Sequence, residues 1–426
     1  MARVITHFSD ALNINYIIKE IKNLIVSLLF GFNNWFRKYD AICLSANGSD
    51  SGYRQLINGK YYNRFIDPII DELYDYKILM IEVPAPKHFP KKYTYTKNIV
   101  SYNLIKLISY FYFFNINTLK EIDLKSLRNL SNIADTIAND YNQLKLFLAR
   151  KKIFKFLFRL YKPKVIFLTC YYGYLPLIKA AKELEIPVIE IQHGIIGSKH
   201  SAYNHKIISN DFYPDYLLTF GDLEKKNPSK SFIFNKNQVY PVGNYYIKYI
   251  NSKEKNNLLK SLTNNYNHTV AVTLQHTVEK ETVSFIFKAA NLDPNIIYFL
   301  LPRPAKDDFG ITLPDNVKVI NKINFYEMMN CVDFHSTVYS TCAIEAPSLG
   351  VQNILINING YAKDHYVDLL TDEKITRYIE TPDEFVHTIN TFQKLDKNII
   401  MNSNDRLFVQ NYQENIHRFL QIIRLI

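Results

Sequence analysis

The order of apolar runs predicts an α/β fold made of two doubly wound units, each with its own parallel sheet, and three observations carry that prediction. Short apolar runs alternate with helical stretches from Val165 to Gly243 and again from Thr269 to Ile358, the pattern of repeated strand–helix–strand units. Between the two series, Asn244 to Asn267 is rich in Lys and Asn and weakly periodic, which suits a connection. Several runs stop abruptly in polar turns, at Gln192-His193-Gly194 and at His335-Ser336-Thr337, and in open α/β sheets ligands bind at the carboxyl ends of strands. The expected domains are residues 1–245 and 246–400, with a C-terminal helix in 401–426 crossing back onto the first. Two such units place a deep cleft between the carboxyl ends of their sheets.

The elements follow in chain order. Residues 15–38 set Ile17, Ile18, Ile21, Leu24, Ile25, Leu28, Leu29 and Phe32 at helical spacing and end in Trp35-Phe36-Arg37-Lys38. This amphipathic helix fits either a domain core or a membrane surface. Asp40–Ser45 reads as the first strand, Asn47–Gly52 as a loop of turn formers without a phosphate-binding glycine spacing, and Tyr62–Leu73 as a turn leading into a helix. Tyr76–Val83 is the second strand. Residues 100–160 read as helical, and Lys145–Lys164 holds eight basic residues and no acidic one, a pattern equally suited to anionic lipid and to a solvated helix face. Strands are then expected at Val165–Cys170, Val188–Gln192, Tyr216–Gly221 and Val239–Gly243, with a helix at Leu175–Leu184. The second series gives strands at Thr269–Gln275, Ile296–Leu301, Val317–Ile320, Val332–His335 and Asn353–Ile358, with helices at Lys280–Ala290, Phe325–Asn330 and Thr341–Leu349.

Composition narrows the partners. A net charge of +11 favours something anionic: nucleic acid, anionic lipid or a phosphorylated substrate. No nucleic-acid-binding motif is present, which leaves the other two. Only 12 glycines occur, so those at strand ends (Gly194, Gly221, Gly243 and Gly350) carry unusual weight. The four cysteines are widely spaced without metal-ligand spacing and read as reduced thiols of a cytoplasmic protein. No run reaches the roughly 18 apolar residues of a membrane-spanning helix, and no signal peptide is apparent.

Two stretches concentrate chemistry. In VIEIQHGIIGSKHSAY a strand ends in Gln192, His193 and Gly194, with His200 close by; His193 has the intrinsic pKa of a general base. In HSTVYSTCAIEAPSLG a strand ends in the hydroxyls of Ser336, Thr337, Ser340 and Thr341, a helix starts, and Glu345 lies within it. Hydroxyls and free N–H groups at a helix start suit a phosphate oxygen, and also serve as plain caps.

The segment STVYSTCAIEAPSLGVQNILI resembles the donor-nucleotide segment of GT-B glycosyltransferases and the related UDP-sugar 2-epimerases. IPVIEIQHGIIGSKHSAYN together with YPDYLLTFGD is similar to an N-domain pattern of bacterial capsule and surface-polysaccharide transferases. The resemblance covers roughly residues 160–360. It implies the GT-B fold, two Rossmann-like domains facing across a cleft. It also implies a ribose contact from Glu345, donor-phosphate contacts from Ser340 and Thr341, and a reacting centre near Gln192, His193 and Gly194. Where Kdo- and sialyl-type relatives place a His-Pro pair, this chain has Leu301-Pro302-Arg303-Pro304, with Arg303 as the phosphate cation. Gln275 and His276 would line the donor side, and His200, His335, Ser336 and Thr337 the rest of the cleft. The absence of a DxD site fits the metal independence general among GT-B enzymes.

The function expected is transfer of a sugar from a nucleotide-activated donor, CMP- or UDP-linked, to a lipid-linked capsule, O-antigen or other surface glycan. The enzyme would need no metal or cofactor and would work in the cytoplasm, peripherally on the inner face of an anionic membrane. The alternatives are a UDP-sugar 2-epimerase-like enzyme and a CDP-polyol phosphotransferase.

Overall fold

The computed structural model describes residues 22, 25–27, 29–46, 53–84, 87–115, 137–197, 200–205, 210–226, 230–252, 265–303, 306, 309–321 and 323–426. The first part of the 15–38 helix, the Asn47–Gly52 loop, most of the Asn244–Asn267 connection and Pro304 lie outside them. The chain forms two compact units. Unit 1 comprises Met1–Thr219, Glu224–Tyr240 and Ile416–Ile426, and unit 2 comprises Phe220–Leu223 and Pro241–Asn415.

Unit 1 contains β1 (Ala41–Ala46), the pair β2 (Arg54–Ile57) and β3 (Lys60–Asn63), α1 (Asp67–Glu72), β4 (Ile78–Val83) and β5 (Ile99–Ser101). These are followed by α2 (Tyr102–Asn115), α3 (Ile137–Tyr161), β6 (Val165–Leu168), α4 (Leu175–Lys182), β7 (Val188–Ile191), β8 (Tyr216–Thr219) and β9 (Val239–Pro241). Its seven-stranded sheet has the order β5-β4-β1-β6-β7-β8-β9. The pairs from β5 through β8 are parallel. Strands buried on both faces need apolar residues at nearly every position, which is why VIFL and VIEI read as almost unbroken runs. Strand order reverses between β1 and β6, so the crevice of unit 1 opens at Ser45 and Thr169-Cys170.

Unit 2 begins with α5 (Tyr245–Asn251), β10 (His268–Thr273), α6 (Glu279–Leu292), β11 (Ile296–Leu301), β12 (Val317–Val319), α7 (Phe325–Met329) and β13 (Phe334–Ser336). It continues through α8 (Cys342–Ser348), β14 (Gln352–Ile356), α9 (Tyr361–Tyr366), β15 (Thr376–Ile379), α10 (Pro382–Thr391) and α11 (Lys397–Ser403). Its sheet, β12-β11-β10-β13-β14-β15, is parallel throughout and reverses between β10 and β13. The crevice there opens at Gln275.

Several elements differ from expectation. The stretch before Tyr62 forms the antiparallel hairpin β2–β3, turning at Asn58 and Gly59 with φ of 48° and 72°. Asn-Gly is the residue pair such a turn selects. Ile99–Ser101 is an edge strand, not the start of a helix. Residues 401–426 are not one helix: α11 ends at Ser403, α12 occupies Tyr412–Ile422, and within unit 1 its Phe419 lies 5.7 Å from the Tyr216 ring and 4.9 Å from Tyr240.

Two of the scarce glycines prove sterically necessary. A Cβ on Gly221 would lie 2.4 Å from the Arg406 carbonyl oxygen, and one on Gly243 would lie 2.5 Å from that of Val409. The basic helix α3 buries Ile153, Phe154, Leu157 and Phe158 and pairs Lys151 and Lys155 with Glu183 at 3.0 and 2.5 Å. Its Phe156 and Leu160 remain 65% and 48% exposed. No helix among the described residues is long and apolar enough to cross a membrane.

Candidate active site

In unit 1 the site grows from the ends of β6 and β7. Cys170 follows β6 in the left-handed region (φ 58°, ψ 53°), which turns its sulfur toward β7. Its Sγ lies 3.1 Å from His193 Nε2 and 3.5 Å from the Tyr53 hydroxyl. Burial holds the His193 imidazole down to about 4, with His200 and Arg64 adding to the shift, so the ring is neutral at neutral pH. Its Nδ1 is buried and has no hydrogen-bond partner. His200 sits edge-on to Tyr203 at 4.9 Å and near Tyr172 at 6.0 Å, and its own pKa is lowered by burial.

Gln192, expected beside His193 at the reacting centre, instead turns inward. It is 3% exposed, and its amide donates to the Gly194 carbonyl at 3.0 Å and to Glu224 at 2.9 Å. As the residue immediately after β7, it is drawn into closing the turn that follows the strand. Gly194 borders open space, with nothing within 4 Å of the point where a Cβ would stand.

Behind this turn runs a row of polar groups that patterning does not single out. Glu190, at a buried β7 position, binds the Tyr203 hydroxyl at 2.7 Å and accepts from the Tyr171 N–H at 3.1 Å. Burial pushes its carboxyl up to about 8. Glu82 on β4 accepts from Arg54 at 2.6 Å and bonds His88 at 2.6 Å, and His88 reaches Ser101 at 2.8 Å. Asp67, raised to about 6 by burial, takes the Asn63 N–H at 2.6 Å and the Thr96 hydroxyl. A charged residue inside an apolar strand, as in VIEI, is the signal available for Glu190.

In unit 2 the β10/β13 switch point is held by Gln275. Its Oε1 accepts from Thr337 at 3.0 Å and from the Tyr339 N–H at 3.2 Å, and its Nε2 donates to the Thr273 carbonyl at 2.9 Å. Tyr339 stacks on His365 at 5.0 Å. His276 and Arg303 are exposed at the ends of β10 and β11. Ser340 and Thr341 are half-buried; the Ser340 hydroxyl accepts from the Cys342 N–H at 3.3 Å, just ahead of the seven-residue α8, whose N-cap Thr341 makes no side-chain cap bond.

Three residues expected to line a cleft are interior. His335, Ser336 and Thr337 are all fully buried. His335 bridges the Thr273 hydroxyl at 3.0 Å and Asn353 Oδ1 at 2.8 Å, and Asn353 continues to the Ala343 carbonyl at 2.7 Å. An amide oxygen only accepts, so His335 carries its proton on Nδ1; burial lowers its pKa to about 4 and keeps it a neutral strut. The reason is position: β13 is a central strand between β10 and β14, and Thr337 just beyond it is tied to the Thr273 carbonyl at 2.9 Å and to Gln275 at 3.0 Å. Glu345 is 2% exposed, with the Tyr326 hydroxyl 3.0 and 3.1 Å from its two oxygens. Among the described residues no cluster of three His, Cys, Asp or Glu side chains is placed to hold a metal.

No protein-family model matches the chain, and no curated protein does. Solved structures match along most of its length. The UDP-GlcNAc 2-epimerase of Neisseria meningitidis, bound to UDP-GlcNAc, is 12% identical over 90% of this chain and 99% of its own, with a TM-score of 0.52. A putative UDP-N-acetylglucosamine 2-epimerase from Listeria monocytogenes shares 8% identity over 91% and 96%, with a TM-score of 0.55. The spinosyn rhamnosyltransferase complexed with thymidine diphosphate shares 11% over 89% and 99%, also at 0.55. At such identities the likeness is one of fold, and that fold is GT-B-like: two Rossmann-like α/β units with parallel sheets.

Proposed function

We propose that the chain is a GT-B glycosyltransferase that moves a sugar from a nucleotide-activated donor to a surface glycan such as a capsule or O-antigen chain, without a metal. The observation that carries this reading is a neutral histidine at the carboxyl edge of one Rossmann-like sheet, in a chain whose other unit follows β13 with the half-buried hydroxyls of Ser340 and Thr341 and the buried carboxylate of Glu345 on α8. His193 is the base for the acceptor hydroxyl. Gln275, Ser340, Thr341, Arg303 and Glu345 serve the donor, and Glu345 meets the ribose by exchanging the Tyr326 hydroxyl for a sugar hydroxyl. The solved structures of this fold that hold UDP-GlcNAc or thymidine diphosphate support a pyrimidine nucleotide. Exposed Phe156 and Leu160 on basic α3 support a peripheral position on the inner face of an anionic membrane, near a lipid-linked acceptor.

The second reading is a UDP-sugar 2-epimerase, favoured by the buried carboxyls of Glu190, Glu82 and Asp67, a fuller acidic set than patterning indicates. One experiment separates the two. Thermal unfolding with UDP, dTDP, CMP, GDP and CDP identifies the nucleotide, and the matching nucleotide sugar is then incubated with and without glycan acceptors. A transferase releases nucleotide when acceptor is added. Interconversion of sugar epimers without release sinks the transferase reading, and stabilisation by no nucleotide sinks both.

A further inference from the structure

We propose that Cys170 is the positioning residue of His193: its sulfur accepts the imidazole Nε2–H, fixes that tautomer, and leaves Nδ1 as the nitrogen that takes the acceptor's proton. The proposal rests on the glycosyltransferase reading above and adds the group that prepares its base.

The contact itself is short, 3.1 Å from Sγ to Nε2, with the Tyr53 hydroxyl 3.5 Å from the same sulfur. A cysteine beside a histidine suggests a nucleophilic thiolate, but that chemistry needs an ion pair. Here burial raises the thiol and lowers the imidazole, so both partners stay neutral and the sulfur is a hydrogen-bond partner only. A neutral imidazole has one N–H to place. Nδ1 is buried without a partner, and an orphaned buried N–H is worse tolerated than an orphaned lone pair. The proton therefore sits on Nε2, where the sulfur receives it.

Cys170 is held for this task at a cost. It is a non-glycine residue in the left-handed region, and the conformation is secured from beneath by Glu190, which accepts the successive backbone N–H groups of Cys170 and Tyr171. Strain kept by an interior carboxylate at a strand end is the arrangement found where geometry serves chemistry. In the reaction the acceptor O–H proton passes to Nδ1 as the acceptor oxygen bonds to the anomeric carbon. The bond from that carbon to the nucleotide's phosphate oxygen breaks, the phosphate keeps the electron pair, and the imidazolium later loses its proton to water.

The test uses the full chain labelled with 15N-histidine, as wild type, Cys170→Gly and Cys170→Ser. Glycine adopts the left-handed backbone freely, so Cys170→Gly removes the sulfur without a folding penalty at that residue. Wild type is expected to show His193 protonated at Nε2 and bare at Nδ1. Cys170→Gly loses that preference and lowers kcat on the order of tenfold or more with KM nearly unchanged, and Cys170→Ser restores both. The NMR readout needs no substrate. An active chain with His193 protonated at Nδ1, or with unchanged kcat in Cys170→Gly, overturns the assignment and spares the transferase reading. An inactive chain with the Nε2–H tautomer supports the Cys170–His193 pairing and overturns the transferase reading.

Discussion

The carboxyl edges of the two sheets are built from different chemistry. In unit 1 the strand ends carry Glu82, Glu190, His88, Cys170 and His193, with Arg54 and Asp67 from the hairpin and α1 joined to them. In unit 2 the corresponding strand ends carry Thr273, Gln275, Ser336 and Thr337, packed around a neutral His335, and Glu345 is the one carboxylate of α8. Burial brings Glu190 to about 8 and Asp67 to about 6, within reach of neutral pH, whereas hydroxyls and amides do not titrate there. On the proposed reading, unit 1 supplies the group that takes a proton and unit 2 the groups that hold the donor.

The largest effect expected from this contrast is at His193. Replacement by Ala should lower turnover by about 10²–10⁴-fold, the usual worth of a general base. Nucleotide binding, measured by the shift in melting temperature, should stay at the wild-type value. Because burial holds His193 near 4, the acid limb attributable to this group should fall near pH 4 and not near 6.5. An acid limb at the ordinary imidazole value would mean that the base is another group, and the division of labour between the units would fail.

Glu345 should behave in the opposite way. Glu345→Gln keeps the volume and removes the charge, so nucleotide affinity should fall by about 10–100-fold, as for loss of a charged hydrogen bond, while turnover at saturating donor changes little. Tyr326→Phe frees the carboxylate from its hydroxyl partner and should leave affinity equal or higher. Weaker binding in Tyr326→Phe would show that Tyr326 itself contacts the nucleotide, and calorimetry on both variants decides.

These two residues also mark how far the sequence can be read. Parallel sheets announce themselves because strands buried on both faces leave nearly unbroken apolar runs, so VIFL, VIEI and IIYFLL are legible. The places of His193 and Gln275 just beyond β7 and β10 are legible because a polar residue ends each apolar run. What is lost is orientation. Gln192 and His193 are neighbours in sequence, yet one closes a turn and the other faces Cys170, and nothing in the pattern separates them. His335 through Thr337 look like an open strand end and are interior, since the length of β13 depends on its partners β10 and β14. Partners brought from elsewhere in the chain, such as Tyr53 on Cys170 or Tyr326 on Glu345, leave no local trace. The Asn58-Gly59 turn has a local signal, but the strands on either side of it are only four residues each and are too short to stand out, whereas the turn into a helix expected over Tyr62–Leu73 is present as α1.

The smallest expected effect concerns stability and tests whether the acid row of unit 1 titrates as its burial implies. Glu190 is raised to about 8 in the folded chain, above its ordinary carboxylate value of 4.5. Between those values the folded state holds a proton that the unfolded state has released, so the free energy of unfolding declines as pH rises through that window. The contribution is fully present below about pH 4.5 and is lost as pH passes 8. Glu224 and Asp67, raised to about 7 and about 6, act with the same sign, whereas His193 and His335, lowered to about 4, act with the opposite sign below their ordinary value of 6.5, so the loss of melting temperature due to the carboxyls is read from pH 6.5 to 8.5. Glu190→Gln imitates the protonated carboxyl and isolates one part. Its melting temperature should fall less steeply than that of wild type over this range, by a few degrees at roughly 2–4 °C per kcal/mol for a domain of this size. Parallel curves for variant and wild type would mean that Glu190 is ionised throughout, stabilised by Tyr203 and the two N–H groups it accepts. Unit 1 would then hold a fixed charge under Cys170 where a proton is expected.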